Sequence, residues 1–454
     1  MLEHFFSEEY LKSYYLNNIR YKINIGVDRI DRKTFEKKIL DHIKVINRKV
    51  LDGSYKFTRY KGVMFPKRPD TNPRTVAIST IRDKIVLSIL KEILATQVPH
   101  NNQELVQTTI SDIKKSIKTG KYNAIIKIDI KNFFPSIDHG ILLKKLKESN
   151  IDERIVKVIH RAITGEIFFD GFIDSTYKEG CKGVPQGLPI SNILAEIYLY
   201  DFDQKYSRIQ TNKYFRYVDD ILVLCDEVNL NGLLRNMEKE LETNYLLNIH
   251  KISDGKTTKG LLKDGFEFLG YKYDGSIYSV REATVHKLEK SIERIFLEHR
   301  KKDFSNIKYF IWELNLKITG AIMESPRKNS YDLPIKKKYG WVFFFSQIDD
   351  KKLLFKLDAF ITKMINRFGL SNKIKKGVDV KKFVRTYHEV LYNRYDTEYI
   401  PNFSSYTLEQ KTYILDEVFE KNTKEMKSDE IDYWFDNLIF KSIKSLEEDV
   451  QDFS

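Results

Sequence analysis

The sequence predicts an α+β fold, with an antiparallel sheet of short strands in the first 280 or so residues and a mostly helical region after it. Three observations carry that prediction. Residues 124–128, AIIKI, are short, β-branched and nearly all apolar, so they read as a buried strand ending at Asp129. Residues 215–225 form two apolar runs, FRYV and ILVLC, separated only by Asp219 and Asp220, which reads as a tight hairpin with the acids at or beside its turn. From about residue 280 onward, apolar residues recur at spacings of three and four, the period of a helix face.

Length and composition set the frame. The chain has 454 residues, more than the roughly 250–300 at which one hydrophobic core stops growing, so two or three subdomains are expected. Hydrophobic residues at 42% and charged residues at 31% describe a globular chain, not a disordered one. No apolar run approaches the ~18 residues that a membrane helix needs, and the opening MLEHFFSEEYLK is acidic where a secretory signal is basic. Cys181 and Cys225 are too few for a disulfide framework or a four-cysteine zinc site, so a cytoplasmic setting away from membranes is expected. Lys plus Arg outnumber Asp plus Glu by 77 to 64, and the resulting +13 favours a polyanionic partner such as nucleic acid.

Along the chain, residues 1–60 read as helical and basic, with Phe35, Ile39, Ile43 and Ile46 on one face. Residues 62–78 are more extended, with Pro66, Pro69 and Pro73 marking loops between strands. Ile81, Ile85, Leu87, Ile89 and Leu90 restore a helical signal before the strand at 124. Leu194, Ile197, Tyr198 and Phe202 share a helix face after the break at Pro189 and Ser191. Further on, three stripes predict helices: Val285 to Phe296, Leu354 to Phe368 with Gly369 placed to end it, and Val380 to Leu391. The aromatic segment 341–345 interrupts them and reads as core.

A lone Asp-Asp pair in a hairpin is usually an ordinary polar turn. Here a third carboxylate, Asp129, ends another buried strand, and adjacent strands would bring the three together. Carboxylates that close repel unless a divalent cation binds them, and Mg²⁺ takes oxygen ligands while leaving room for water and phosphate. Two such ions about 3.5–4 Å apart serve nucleotidyl transfer.

The sequence resembles the reverse transcriptase family at these residues. Tyr217-Val218-Asp219-Asp220 matches its YxDD box, Asp129 with Ile130-Lys131-Asn132-Phe133-Phe134 its first catalytic motif, and residues 184–191, VPQGLPIS, its PQG box, all in the family's order. The resemblance spans about residues 60–275 and implies a right-hand fingers and palm with an antiparallel palm sheet. It divides the chain into a helical N-terminus and fingers at 1–120, a palm at 121–279 and a helical, thumb-like C-terminal domain at 280–454.

The resemblance also implies roles. Asp129 and Asp219 would be the principal ligands of two Mg²⁺ ions (Mn²⁺ being the alternative), with the Ile130 carbonyl assisting and Asp220 supporting the site or touching a metal. Gln186 would orient the incoming dNTP, beside Tyr217 of the YxDD box. Phe134 falls where the family excludes the ribose 2′-hydroxyl, with Phe133 as the competing ring. Arg74 would clamp the triphosphate, assisted by Lys67 and Arg68, while Arg82 would face the template. Residues 254–257, DGKT, match the motif whose lysine lies near the leaving pyrophosphate, so Lys256 is the candidate general acid, with His250 and Lys251 as competitors. Residues 266–271, FEFLGY, resemble the hairpin that grips the primer, with Gly270 allowing close backbone approach.

Within the family, residues 314–320, residues 339–350 and the stretch PQGLPISNILAEIYL look most like bacterial defence-associated and abortive-infection enzymes; retron and group II intron enzymes are more distant. That resemblance implies an anti-phage role, cDNA made on a noncoding or template RNA, and a homo-oligomer as one assembly. Untemplated or protein-primed synthesis is an alternative, as are an RNA-dependent RNA polymerase and a catalytically idle RNA-binding scaffold. Lys336 to Lys338, Lys373, Lys375, Lys376, Lys381, Lys382 and Arg385 would follow a nucleic-acid backbone. His388 and Glu389 lack a metal-like partner and are assigned no chemistry.

Overall fold

The computed structural model describes residues 2–20, 24–65, 73–169, 180–328, 334–374, 380–393 and 397–450. Two compact units divide the chain, one of residues 1–104 and 119–260, the other of residues 105–118 and 261–454. What the sequence reading separates as fingers and palm therefore lies mostly in one unit.

Among its described residues the first unit holds β1 (Tyr60–Phe65), β2 (Arg74–Ile78), β3 (Ala124–Asp129), β4 (Ile167–Phe168), β5 (Asn212–Tyr217), β6 (Asp220–Cys225) and most of β7 (Thr258–Leu261). β1 pairs antiparallel with β2 and parallel with β4. The larger sheet has the order β5-β6-β3-β7, with β6 antiparallel to both β5 and β3. Every residue of β6 is buried. A strand covered on both faces is an unbroken apolar run, as ILVLC is.

The helix Ser191–Ser207 buries residues nearly all round, among them Leu194, Ile197, Tyr198 and Phe202, as a helix enclosed by its neighbours must. Its start is fixed by the Ser191 hydroxyl, which donates to the Pro185 carbonyl at 2.6 Å. The helix Ile81–Gln97 begins at Thr80, whose hydroxyl accepts from the Asp83 N–H. Asp83 in turn accepts from the Tyr55 hydroxyl at 2.8 Å and the Thr58 N–H at 3.1 Å, so this buried carboxylate is fully engaged. Burial raises its pKa above the ordinary carboxylate value.

The second unit contains β8 (Phe266–Phe268), β9 (Tyr271–Tyr273) and β10 (Tyr278–Val280), ordered β10-β9-β8, and a separate hairpin of β11 (Ala321–Lys328) and β12 (Pro334–Tyr339). Around them pack helices that include Glu282–Arg300, Ile307–Thr319, Lys351–Arg367, Phe383–Tyr392 and Ser428–Glu448. The helix Val106–Lys118 belongs here as well, through Gln107 donating to the Phe343 carbonyl and Lys114 reaching Asp349.

Several expectations hold. Leu288, Ile292, Ile295 and Phe296 form a buried face, and the helix Lys351–Arg367 ends just before Gly369 at φ 65°. Others need correction. The β11–β12 hairpin stands where helix was expected, because Lys336 to Lys338 read as a charge run while in the fold they alternate along a strand opposite Glu324, Met323 and Ile322. Residues 341–344 are a short buried helix within the core. In the helix Phe383–Tyr392 the buried face is Phe383, Thr386, Tyr387 and Val390, leaving Leu391 exposed. Among the described residues, no helix is long and apolar enough to cross a membrane.

Candidate active site

The β3–β6 register places Asp129 directly opposite Asp220, and the β5–β6 register places Tyr217 opposite Asp220. Opposed residues of an antiparallel pair point to the same face with Cβ atoms about 4.5–5.5 Å apart. Lys127, two residues before Asp129, and Phe215, two before Tyr217, share that face. The intervening turn is Val218-Asp219, with Val218 in the left-handed region at φ 57°. The Asp219 carbonyl accepts from the Ile130 N–H at 3.1 Å, so the turn is tied to the strand that carries Asp129.

Electrostatics mark this face. Burial, and next the charge of neighbouring Asp219, push the Asp220 carboxyl up to about 7, with Lys127 pulling it back and Asp129 adding to the rise. Basic groups approach from the segment before β7. His250 Nε2 lies 3.4 Å and Lys256 Nζ 3.8 Å from Asp129 Oδ1, and the two nitrogens are 3.2 Å apart. The His250 N–H donates to the Asp129 carbonyl at 2.9 Å, which fixes this segment to the end of β3. Both Lys256 and its competitor His250 thus reach Asp129; Lys251, like Lys256, is exposed.

Among the described residues no group of three or more His, Cys, Asp and Glu side chains forms a ready metal cage. The donor set nonetheless suits Mg²⁺, which binds through one or two carboxylates completed by water and phosphate oxygens more often than in an all-protein cage. Two opposed carboxylates with a third on the adjoining turn, one of them pushed up by burial and then by its neighbours' charge, are an oxygen-only site that a divalent cation would relieve.

The nucleotide-facing candidates are grouped by the loop before Ser191. Arg74 Nε donates to Gln186 Oε1 at 2.8 Å, and the Gln186 carbonyl accepts from the Ala77 N–H at 2.7 Å. Gly187 has φ 93°, and a Cβ there would lie 2.5 Å from Val76 Cγ1, so the loop can lie against β2 only with glycine at that point. The same loop hangs from the first motif, with the Val184 N–H donating to the Phe134 carbonyl at 2.9 Å. Phe133 and Phe134 are both buried, their ring centroids 5.7 Å apart. Arg82 has its Nε enclosed without a hydrogen-bond partner, and its charge lowers the pKa of His42 after burial has done so.

Gly270 sits in the second unit. With Leu269 at φ 50° and Gly270 at φ 78° it makes the two-residue turn between β8 and β9, and its carbonyl accepts from the Arg281 N–H. Of the basic cluster, Lys375 and Lys376 lie outside the described residues, as do Lys67 and Arg68. Lys381 is engaged within the fold: its Nζ donates to the Tyr399 carbonyl and lies 4.7 Å from that ring's centroid. Lys382 is exposed. Missed by sequence reasoning were Lys127, whose partner-dependent role has no motif, and Arg216 with Glu196 and Asp203, behind the acid-bearing turn.

Residues 65–273 match the family described as reverse transcriptase (RNA-dependent DNA polymerase). The chain is similar to a putative COX1/OXI3 intron 1 protein of Saccharomyces cerevisiae, 29% identical over 32% of this chain and 18% of the yeast protein. It is 21% identical to protein YkfC of Escherichia coli over 66% of this chain and 86% of that one. With the retron Ec83 reverse transcriptase of Escherichia coli it shares 26% identity over 45% of this chain and 66% of the retron enzyme. The chain thus spans under a fifth of the yeast relative's length.

Proposed function

We propose, from the match of residues 65–273 to the reverse transcriptase family, that this protein is an RNA-directed DNA polymerase that adds dNTPs to a primer 3′-end by two-metal nucleotidyl transfer. The observation that carries the reading is Asp129 opposed to Asp220 across β3 and β6, with Asp219 on the adjoining turn. Asp129 and Asp219, helped by the Ile130 carbonyl and by Asp220, would hold two Mg²⁺ ions. Bound there, the ions would supply charge neutralisation and an activated 3′-hydroxyl.

The chain's own groups do the rest. Arg74 exchanges its bond to Gln186 for triphosphate oxygens, which its planar fork suits. The released Gln186 amide orients sugar and base. Phe134 abuts C2′ and rejects a 2′-hydroxyl. Lys256, held near Asp129, donates a proton to the leaving pyrophosphate, and Tyr217 packs beside the acids. Lys382, with Lys375 and Lys376, retains a structured RNA that supplies the template, and Gly270 and Arg82 contact primer and template.

The biological setting in this reading is anti-phage defence with a dedicated noncoding RNA, supported by the sequence resemblance of residues 185–199, 314–320 and 339–350. Primer extension with dNTPs or rNTPs, with and without Mg²⁺, tests the chemistry. Metal-dependent dNTP incorporation lost in Asp219→Asn is the expected result; incorporation unchanged in that variant would sink the assignment, and no incorporation by the native chain would favour an idle RNA-binding scaffold. Phage plating on cells carrying native protein or Asp219→Asn tests the defence role, which fails if both plate alike. DNA made equally well after nuclease stripping would select untemplated or protein-primed synthesis.

A further inference from the structure

Behind the acid-bearing turn lies a buried charged cluster that the chemistry above does not use. β5 alternates: Tyr217 and Phe215 share the face of Asp220 and Leu222, while Arg216 and Tyr214 turn to the opposite face. There Arg216 meets Glu196 and Asp203 of the helix Ser191–Ser207, with side-chain exposures of 3%, 9% and 3%. Arg216 Nε and Nη2 donate to the two Asp203 oxygens at 2.8 and 2.5 Å. Nη2 and Nη1 donate to the two Glu196 oxygens at 2.5 and 3.3 Å. The remaining Nη1 hydrogen goes to the backbone, to the Val218 carbonyl at 2.9 Å. All five donors of the guanidinium are thereby used.

A buried ion cluster that merely fastens helix to sheet would explain the first four bonds. It does not explain the fifth. Val218 is β-branched and has φ 57°, a conformation that L side chains with a branched Cβ rarely adopt. Its carbonyl belongs to the peptide unit that enters Asp219. The peptide unit that leaves Asp219 is held as well, by the Ile130 N–H. Both peptide planes flanking Asp219 are therefore fixed, one by a buried guanidinium and one by the strand that carries Asp129. The guanidinium is itself clamped, since Tyr214 and Asn101 donate to Asp203 at 2.6 and 2.7 Å and so hold the carboxylate in place.

We propose that Arg216 is the positioning residue of the Asp219 turn, holding Val218 in its left-handed conformation so that Asp219 faces the same site as Asp129 and Asp220. The proposal rests on the polymerase reading for its kinetic consequence but not for its structural one. Lysine at 216 keeps the charge but offers a compact ammonium with three donors, which cannot fork across two carboxylates and still reach the carbonyl. Val218 then relaxes to negative φ and Asp219 turns out of line. Glycine at 218 adopts the left-handed conformation without a Cβ penalty, so it lessens the need for the clamp.

The test compares Arg216→Lys with Arg216→Lys/Val218→Gly in primer extension, together with hydrogen–deuterium exchange of peptides covering residues 217–221. In Arg216→Lys, kcat falls at least thirtyfold while KM for dNTP stays within threefold, and exchange quickens in the turn and not in β3. Adding Val218→Gly restores kcat at least tenfold. A kcat loss that Val218→Gly leaves untouched, or turn exchange equal to the native protein's, overturns the proposal and leaves Arg216 a helix-to-sheet fastener. If Arg216→Lys does not fold, Glu196→Gln withdraws one of the two charges that clamp the guanidinium: turn exchange rises and kcat falls threefold or more, and no change in either overturns the proposal. Should the native chain make no DNA, the polymerase reading fails, and the exchange of the turn alone decides whether Arg216 holds it.

Discussion

The two units carry their charge in different ways. In the first, Asp129, Asp219 and Asp220 are gathered at the end of a sheet, and burial plus like charge push Asp220 up to about 7. In the second, the most buried charge is cancelled on the spot: Lys317 and Asp449, each with 5% of its side chain exposed, pair at 2.6 Å. Asn306 there bonds the Val418 carbonyl, and Lys381 the Tyr399 carbonyl. The acid face of the first unit holds electrostatic repulsion that a bound cation would relieve, whereas the Lys317–Asp449 pair, like the first unit's own Arg216 cluster, spends its charges on staying folded. Substitution of a charge should therefore have opposite consequences in the two places.

The largest expected effect is in the first unit. Asp219→Asn removes a ligand and a repelling charge together, so DNA synthesis should fall by on the order of a thousandfold or more while the melting temperature stays level or rises. A parallel thermal scan and primer extension measure both. A lower melting temperature would mean that the acids contribute to folding, and the contrast between the units would vanish.

Next comes the reverse experiment in the second unit. Asp449→Ala leaves Lys317 buried without its partner, and breaking a buried pair from one side costs about 3–5 kcal/mol. Denaturant unfolding should show that loss, while the folded fraction keeps its turnover of a supplied primer–template. Stability unchanged by Asp449→Ala would show that the pair is relieved by solvent.

A smaller effect concerns selection inside the first unit. Phe134→Ala opens space at C2′, so the ratio of kcat/KM for rNTP to that for dNTP should rise about tenfold or more even as total activity drops. An unaltered ratio points to Phe133 or a backbone contact as the gate. The smallest concerns the second unit's basic cluster. Neutralising Lys375, Lys376, Lys381 and Lys382 together should weaken RNA retention a few-fold and flatten its dependence on salt, since fewer counterions are released. Because Lys381 is already engaged with Tyr399, the same change without Lys381 should weaken RNA retention almost as much. Retention unaffected by the quadruple change would place the RNA elsewhere.

Most of the acid site was legible in the sequence because its signals are local. A β-branched run ending at Asp129 and two apolar runs around Asp219 and Asp220 each follow from neighbours in the chain. At Gly187, with φ 93°, backbone conformation and residue type agree, whereas at Val218, with φ 57°, they conflict. The basic run at Lys336 to Lys338 misled for the opposite reason. Pro334-Ile335-Lys336-Lys337-Lys338-Tyr339 shows no apolar alternation, so β12 left little periodic trace in the sequence.

The sequence alone determined the α+β class and the strand and hairpin that bear the acids, both within the residues 65–273 that match the reverse transcriptase family. Tertiary structure decided the rest: that Asp129 stands opposite Asp220 and no other residue of β6, that His250 as well as Lys256 reaches Asp129, that the helix Val106–Lys118 belongs to the second unit, and that Arg216 is clasped by Glu196 and Asp203. Periodicity and turn chemistry act over a few residues, and the chain records them directly. Strand register and the partners of a buried charge are settled between segments far apart in the chain, by the cost of leaving any apolar face or charged group without a neighbour.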